Sequence, residues 1–178
     1  MMLQIDHRES HDIDIFLNDP QQLPFLDPQK HDFEFGIRPD GYEGDGTRSL
    51  KIVFDIGEID FIVAGALTSS PTTQREIEGE IVQLETIPEI VTKKVFYRGF
   101  NVMPRDVFDI AAAGERSADA IIEQLRSYRD KVTQTLAAME KMNSKFVSDS
   151  IADLVIRDQY KEVARAALEK SKRILGAV

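Results

Sequence analysis

The chain has 178 residues, of which 31 are acidic and 22 basic, so its formal charge is −9, and it contains no cysteine. At this length, with 42% hydrophobic residues, it is expected to fold as one ordinary domain or as two small ones that share a core. Without cysteine there can be no disulfide framework, no thiol nucleophile and no Cys-ligated zinc or iron–sulfur site. Any metal is therefore expected on oxygen or imidazole ligands.

The acidic excess lies in the first hundred residues, which hold 19 acidic and 9 basic side chains, against 12 and 13 in residues 101–178. A general nucleic-acid-binding surface would be basic, so contact with nucleic acid is expected only locally and with the help of a metal. No apolar run approaches the ~18 residues of a membrane span, and residues 1–10 lack the pattern of a signal peptide. We therefore expect a cytoplasmic protein without a membrane partner.

The hydrophobic pattern changes once, near residue 86. Before it, alternation with a period of two residues predicts strands. A hairpin turn is predicted at Gly57-Glu58, and the segment 38–48, which is rich in Gly and Asp, is predicted to be an exposed loop. The predicted strands cover residues 12–16, 31–37, 49–56, 59–63 and 80–84.

After residue 86 the period becomes 3.6 residues, which predicts helices. Thr86 and Glu89 have the spacing of a capping box that starts the first helix, over residues 87–97. Further helices are predicted over residues 104–114, over 117–142 with one break allowed, and as a pair over 149–175. The chain is therefore expected to be α+β, with a small mixed β-sheet domain over residues 1–86 and a C-terminal helical bundle over residues 87–178.

Two aspartates, Asp12 and Asp14, are two residues apart on the first predicted strand. Both are expected on one face of that strand, with Ile13 and Ile15 pointing into the core. Two like charges this close destabilise a bare strand. A divalent cation would remove that cost, and Mg²⁺ typically binds through one or two carboxylates plus substrate phosphates. The alternative is an edge strand whose outer face is simply charged.

Arg8 and Ser10, in the turn before this strand, favour the metal interpretation, because a guanidinium and a hydroxyl there could hold phosphates against the metal. A third carboxylate would strengthen it. Asp60 lies inside an apolar predicted strand, where a carboxylate is costly without a partner, and we prefer it as the third ligand or as the general base. Asp55, beside the hairpin turn where Asp is ordinary, is the competing residue.

Four motifs, HRESHDIDIF, GEIDFIV, IPEIVTKKVFYRG and PRDVFDI, occur in this order. Together they resemble the AbiEii/AbiGii abortive-infection toxins, a family of nucleotidyltransferases in the polymerase-β-like superfamily, over residues 3 to about 115. The resemblance implies a nucleotidyltransferase-like sheet domain whose paired aspartates are Asp12 and Asp14 and whose buried hairpin aspartate is Asp60. These three would hold Mg²⁺ or Mn²⁺, and Asp60 would also act on the acceptor hydroxyl. Arg8 and Ser10 match the family's Arg-x-Ser turn.

The resemblance also covers two blocks in the helical part. Lys94, which follows Glu89 in an acid-x4-Lys block, would contact the phosphates of a nucleoside triphosphate. Arg105, Asp106 and Asp109 match the family's Arg-Asp-x-x-Asp block and would belong to the nucleotide site. Each block has a structural alternative: Glu89 can serve the capping box, a lysine on a helix is usually solvated, and the two aspartates can complement a helix dipole.

The activity implied is metal-dependent transfer of a nucleoside monophosphate to an acceptor such as an RNA end, by a toxin with a cognate winged-helix antitoxin. The resemblance also implies a Gly-Ser or Gly-Gly turn upstream of Leu3, at positions that would precede Met1. An upstream start codon, a trimmed chain and a shortened inactive member are the three explanations. Two alternatives follow: a catalytically inactive binding or regulatory protein, and a nucleotidyltransferase that acts on a small molecule or a protein.

Overall fold

The computed structural model describes residues 1–31 and 33–178 and has a mixed α+β fold, as the sequence predicts. Contacts divide the chain into two compact units: unit 1 comprises Met1–Glu9 and Leu67–Val178, and unit 2 comprises Ser10–Ala66. In chain order the elements are α1 (Met2–Ile5), β1 (Ile13–Leu17), α2 (Leu23–Leu26), β2 (Gly41–Gly44), β3 (Ser49–Phe54), β4 (Gly57–Val63), β5 (Thr72–Ile77), β6 (Glu80–Glu85), α3 (Ile87–Arg98), α4 (Pro104–Leu125), α5 (Arg129–Glu140), α6 (Ser144–Ala152), α7 (Lys161–Arg165) and α8 (Ala167–Gly176).

The two units do not follow the predicted division at residue 86. Unit 1 contains the helices, but it also contains the N-terminal segment and the β5-β6 hairpin. A backbone bridge between Arg8 and Ile156 joins the N-terminal segment to the helical region. Period-two strands therefore occur in both units, and the change of hydrophobic period does not mark the boundary between them.

Unit 2 is built on a four-stranded mixed sheet with the strand order β1-β4-β3-β2. β1 is parallel to β4, whereas β4 and β3, and β3 and β2, are antiparallel pairs. The turn between β3 and β4 lies at Asp55 and Ile56, two residues before the predicted position. β4 begins at Gly57, whose φ is +147° and where a Cβ atom would lie 2.2 Å from the carbonyl oxygen of His11. Only glycine meets both conditions without strain.

The predicted strands at 12–16, 49–56, 59–63 and 80–84 are confirmed within one or two residues at their ends. The predicted strand at 31–37 is wrong for residues 31 and 33–37, and Asp32 lies outside the described residues. Two strands were not predicted. β2 lies inside the segment expected to be a loop, and it is held by backbone pairing with β3. β5 is mostly exposed, so no apolar alternation marks it.

One face of the unit 2 sheet is apolar, and the other carries the charged residues of β1, β3 and β4 together with Phe16, Val53 and Ile62. Leu50 and Ile52 on the apolar face are buried. Ile13 and Ile15 lie on that same face through the β1-β4 register, yet they are 56% and 38% exposed. The prediction that these two side chains point into the core is therefore wrong. β1 is an edge strand with one neighbour, and burial on this face is confined to the inner strand β3.

Unit 1 contains an extensive hydrophobic cluster formed mainly by helical residues, with Phe108 and Leu125 fully buried. The predicted helix at 87–97 is confirmed as α3. α4 runs across both of the next two predicted helices, but its backbone leaves helical geometry at Ser117, where φ is −142° and ψ is 26°. The gap predicted between these two helices, at residues 115–116, is thus present as a kink at the following residue. The predicted pair over 149–175 is instead α6, α7 and α8. Within the described residues, no helix has the length and apolar character needed to cross a bilayer.

Candidate functional site

The polar face of the unit 2 sheet carries a group of carboxylates, here called the acidic face, formed by Asp14, Glu58 and Asp60. Asp14 on β1 is the register partner of Asp60 on β4. Neighbouring strands lie about 4.8 Å apart, so these two side chains leave the sheet side by side on the same face. Glu58 is two residues before Asp60 on β4 and shares that face. The pairing brings together two of the three aspartates that the sequence predicts as metal ligands.

Lys51 is the cation of the acidic face. It lies opposite Asp60 in the β3-β4 register. Its Nζ lies 3.2 Å from Asp60 Oδ2 and 2.5 Å from Glu58 Oε1. The hydrogen bond from Lys51 to Glu58 raises the pKa of the lysine. One lysine thus offsets part of the repulsion among three carboxylates and leaves the face with an excess of negative charge.

Asp60 has a raised pKa. Burial is the main cause, and the neighbouring carboxylates of Glu58 and Asp14 add to it, while Lys51 acts in the opposite direction. The folded chain therefore disfavours the charged form of this carboxyl despite its ion pair. A divalent cation on the acidic face would reverse this preference, because it would favour ionisation of both Asp60 and Asp14.

The other predicted residues of unit 2 lie outside the paired strands. Asp12 immediately precedes β1 and is exposed, and Ser10 is partly buried at the first position of unit 2. Asp55, the competitor of Asp60, is exposed in the β3-β4 turn and lies outside the paired region. The geometry therefore favours Asp60 over Asp55 as the partner of Asp14.

The carboxylates of Asp14 and Asp60 suit a metal ion that also binds the phosphates of a substrate. Among residues 1–31 and 33–178, no three His, Asp or Glu side chains converge as ligands of one ion. A pair of carboxylates is nevertheless the usual protein contribution to a Mg²⁺ ion that also binds substrate phosphates. Asp14 and Asp60 supply that pair, and the complete set of Asp12, Asp14 and Asp60 stays a prediction.

Unit 1 contains a second group of charged residues, here called the buried charge cluster. It joins the N-terminal segment to α3 and α4 through two aspartates, which are 1% and 2% exposed. Three arginine and lysine side chains surround them. The members are His7, Arg8, Lys94, Arg98, Asp106 and Asp109.

Asp109 is the centre of the buried charge cluster. Its Oδ1 accepts hydrogen bonds from His7 Nε2 and Arg8 Nε, both at 2.8 Å, and its Oδ2 lies 2.9 Å from Lys94 Nζ. Burial alone would raise the pKa of Asp109. Lys94, His7 and Arg8 outweigh it and hold this pKa well below its usual value. The buried, ionised Asp109 therefore holds the N-terminal segment and α3 to its own helix, α4.

Asp106 combines two roles at the start of α4. Its Oδ1 accepts hydrogen bonds from Lys94 Nζ at 2.5 Å and from Arg98 Nη2 at 2.7 Å. Its Oδ2 accepts from the backbone N–H of Met103 at 3.3 Å, which closes half of a capping box. The structural alternative of a solvated Lys94 is wrong, because its side chain is 15% exposed and bridges both aspartates. Arg105, by contrast, is exposed on the first turn of α4.

Glu89 is fully buried, but its side chain does not complete the predicted capping box. Thr86 caps α3 by accepting from the backbone N–H of Glu89, whereas the Thr86 backbone N–H donates to Pro71. The Glu89 carboxylate instead accepts from the backbone N–H groups of Leu67 and Thr68, at 2.9 and 2.8 Å, and from the Thr68 hydroxyl at 2.6 Å. Glu89 thus fixes the segment before β5 to α3.

Sequence reasoning missed several members of these groups. Lys51 could have been found by pairing the hairpin strands, which brings it opposite Asp60. Arg98 lies one helical turn after Lys94 and on the same face of α3, so helical spacing could have linked it to Asp106. The contact between His7 and Asp109 spans 102 positions along the chain, and no local pattern indicates it.

The chain was compared with models of known protein families, with curated proteins and with solved structures, and none of the three comparisons finds a match.

Proposed function

We propose that this chain is a metal-dependent nucleotidyltransferase that moves a nucleoside monophosphate from a nucleoside triphosphate to an acceptor such as an RNA end. We further propose that it works in the cytoplasm as the toxin of an abortive-infection toxin–antitoxin pair, with a cognate antitoxin protein as partner. The four motifs support the family and its partners. The chemistry rests on the acidic face of unit 2.

The observation that carries the proposal is the pairing of Asp14 with Asp60. Two carboxylates on register partners of adjacent strands repel each other, and the raised pKa of Asp60 reflects this together with burial. A sheet that needed only a soluble surface would gain stability from replacing either residue. The presence of both aspartates at one position of the register is consistent with a cation that both of them bind.

The proposed roles follow from the positions of the side chains. Asp14 and Asp60 would hold the cation through their carboxylate oxygens, and Asp12 would add a ligand from the position just before β1. Mg²⁺ or Mn²⁺, when bound, neutralises charge on the triphosphate and aligns it for in-line displacement with pyrophosphate as leaving group. Asp60, ionised beside the cation, would accept the proton of the acceptor hydroxyl.

The predicted nucleotide contacts of Arg8, Ser10, Lys94 and Arg105 stay predictions. So do those of Asp106 and Asp109. Arg8 and Lys94 are engaged with Asp109 within unit 1, and Lys94 also with Asp106. The buried charge cluster therefore has a structural role of its own, whatever it contributes to nucleotide binding.

The test is transfer of label from each of the four [α-³²P]NTPs to total RNA in the presence of Mg²⁺. We expect labelling that EDTA abolishes, and that Asp14→Asn lowers by at least about 100-fold. The matched control is Asp40→Asn, an exposed aspartate of unit 2 outside the acidic face, which should label RNA like the parent chain. Equal labelling by the Asp14→Asn variant would refute the site. Label in protein or in small molecules instead of RNA would change the acceptor.

A second candidate is a catalytically inactive member that binds nucleotide or a protein partner. The ion pair between Lys51 and Asp60 favours this candidate, because Lys51 already neutralises part of the negative charge that a metal ion would otherwise neutralise. This candidate predicts Mg²⁺-dependent binding of NTP, measured by calorimetry, without transfer to any acceptor. Transfer that depends on Asp14 would exclude it.

A further inference from the structure

Unit 1 has an open cleft of about 580 Å³ that uses no residue of the acidic face and none of the buried charge cluster. Ligand sites in proteins usually have volumes of about 300–1,000 Å³. The cleft lies between α1, the β5-β6 hairpin, the start of α3 and the kink of α4. Its lining residues are Gln4, Ile5, Thr73, Arg75, Thr86, Ile87, Pro88, Arg116 and Ser117.

The charge of this cleft is opposite to that of the chain. The protein has a formal charge of −9, yet none of the lining residues is acidic and two are arginines. Arg75 makes no ion pair with any described residue. Arg116 likewise has no carboxylate partner among them, and its Nε donates to the hydroxyl of Tyr160 at 3.2 Å. Most other basic side chains of unit 1 do have such partners. The two guanidinium groups are thus available to an anion.

The uncharged lining groups suit a ligand with several oxygens. Thr73 and Ser117 contribute hydroxyl groups, whereas the Thr86 hydroxyl already donates to the carbonyl of Ser70. Gln4 donates its amide N–H to the carbonyl of Glu85, while its Oε1 is shielded from solvent and has no donor among the described residues. Because this oxygen is closed to solvent in the structure, Gln4 shapes the wall of the cleft and is assigned no contact with a ligand.

Backbone geometry at the cleft also favours an anion. α3 begins here, at Thr86, and the second part of α4 begins after the kink at Ser117. The N-terminal end of a helix carries partial positive charge. Thr86 already caps Glu89, and Pro88 has no N–H, so we assign the direct contacts to the two arginines and the helix ends to the surrounding field.

We propose that this cleft binds a phosphomonoester with neighbouring hydroxyl groups, such as a sugar phosphate or a nucleoside monophosphate. Arg75 and Arg116 contact the phosphate, for which the planar guanidinium is well matched. Thr73 and Ser117 contact hydroxyl groups of the sugar. The site does not depend on a metal and is separate from the proposed transferase chemistry.

The experiment is calorimetric titration of the full chain, in EDTA, with ribose 5-phosphate, adenosine 5′-monophosphate, adenosine and inorganic phosphate. We expect both phosphomonoesters to bind, and adenosine without its phosphate not to bind. Tighter binding of ribose 5-phosphate would identify a sugar phosphate as the ligand class, and tighter binding of adenosine 5′-monophosphate would identify a nucleoside monophosphate. Inorganic phosphate that binds as tightly as both would overturn the role given to the hydroxyl groups.

Variants locate the binding. Arg75→Gln and Arg116→Gln should each weaken it by at least about 10-fold. Arg173→Gln removes the same charge from an exposed position on α8 and should leave the affinity unchanged, and so should Asp14→Asn on the acidic face. Arg75 is exposed on a hairpin, so its variant keeps the proposal testable even if Arg116→Gln unfolds the chain. Absence of binding, or equal loss in the Arg173→Gln variant, would overturn the proposal.

Discussion

Replacing Asp109 by asparagine is expected to destabilise unit 1 strongly. The carboxylate accepts from His7 Nε2 and Arg8 Nε at 2.8 Å, from Arg8 Nη2 at 3.2 Å, and contacts Lys94 Nζ at 2.9 Å. Asparagine keeps one acceptor oxygen and turns an N–H₂ group toward these donors. At least two charge-assisted bonds are lost, at about 1.5–3 kcal/mol each.

The expected loss in the free energy of unfolding is about 3–5 kcal/mol, the range found when one member of a buried ion pair is removed. This is a large share of the roughly 5–15 kcal/mol that stabilises an ordinary domain. Urea unfolding at pH 7, followed by circular dichroism without nucleotide or metal, measures it. Asp119→Asn, an exposed aspartate on the same helix, is the control and should change stability by less than about 0.5 kcal/mol.

The effect of Asp109→Asn should also depend on pH. The folded-state pKa of Asp109 is held well below its usual value, so its ionised form stabilises the fold above the unfolded pKa of about 3.9. That contribution is lost as the pH falls below about 4 toward the folded pKa. The difference between the parent chain and the variant should therefore shrink in acid. Equal stability of the two at pH 7 would refute the structural role of the buried charge cluster.

Three further changes test other parts of the structure. Gly57→Ala should destabilise unit 2 by about 2–4 kcal/mol in urea titrations, because the new Cβ meets the His11 carbonyl oxygen at 2.2 Å and φ is +147°. Gly65→Ala, where a Cβ meets only open space, is the control and should leave the free energy of unfolding unchanged. Glu89→Gln should cost about 2 kcal/mol and speed hydrogen exchange at the Leu67 amide, and unchanged exchange would contradict the contact. Asp60→Asn should raise metal-free stability by less than about 1 kcal/mol, because the parent loses stability as the pH rises through the raised pKa of Asp60. The same variant should abolish the rise in Tm on adding Mg²⁺, and a retained response would remove Asp60 from the site.

The sheet of unit 2 shows what local pattern can and cannot predict. The alternation around Asp14 predicts a strand with Asp12 and Asp14 on one face, and the apolar residues around Asp60 predict a second strand. This local pattern does not predict that β1 and β4 are parallel neighbours, since that pairing joins segments 46 positions apart at Asp14 and Asp60. It leaves open whether β1 is an edge strand, and the prediction that Ile13 points into the core is wrong because β1 lies at the edge of this sheet.

The helical unit shows a different limit. The Thr86 cap of α3 and the interruption of α4 near Ser117 follow from local residues, and the sequence predicts both, whereas the capping role predicted for Glu89 is wrong. The sequence does not predict the environment of Lys94, because the burial of its side chain depends on contacts with Asp106 and Asp109 on another helix. The cleft is equally non-local, since Arg75 and Arg116 come from a hairpin and a helix that sequence spacing does not relate.

The most direct test of the central claim is to locate the metal on the acidic face. Mn²⁺ is added in substoichiometric amounts to the ¹⁵N-labelled chain with a non-hydrolysable NTP analogue, and line broadening is followed by NMR. The account predicts that the amides next to Asp14 and Asp60 broaden first, that Mg²⁺ reverses the effect, and that Asp14→Asn prevents it. Broadening centred elsewhere in unit 2, for example on the 38–48 segment, or unchanged in the Asp14→Asn variant, would contradict it.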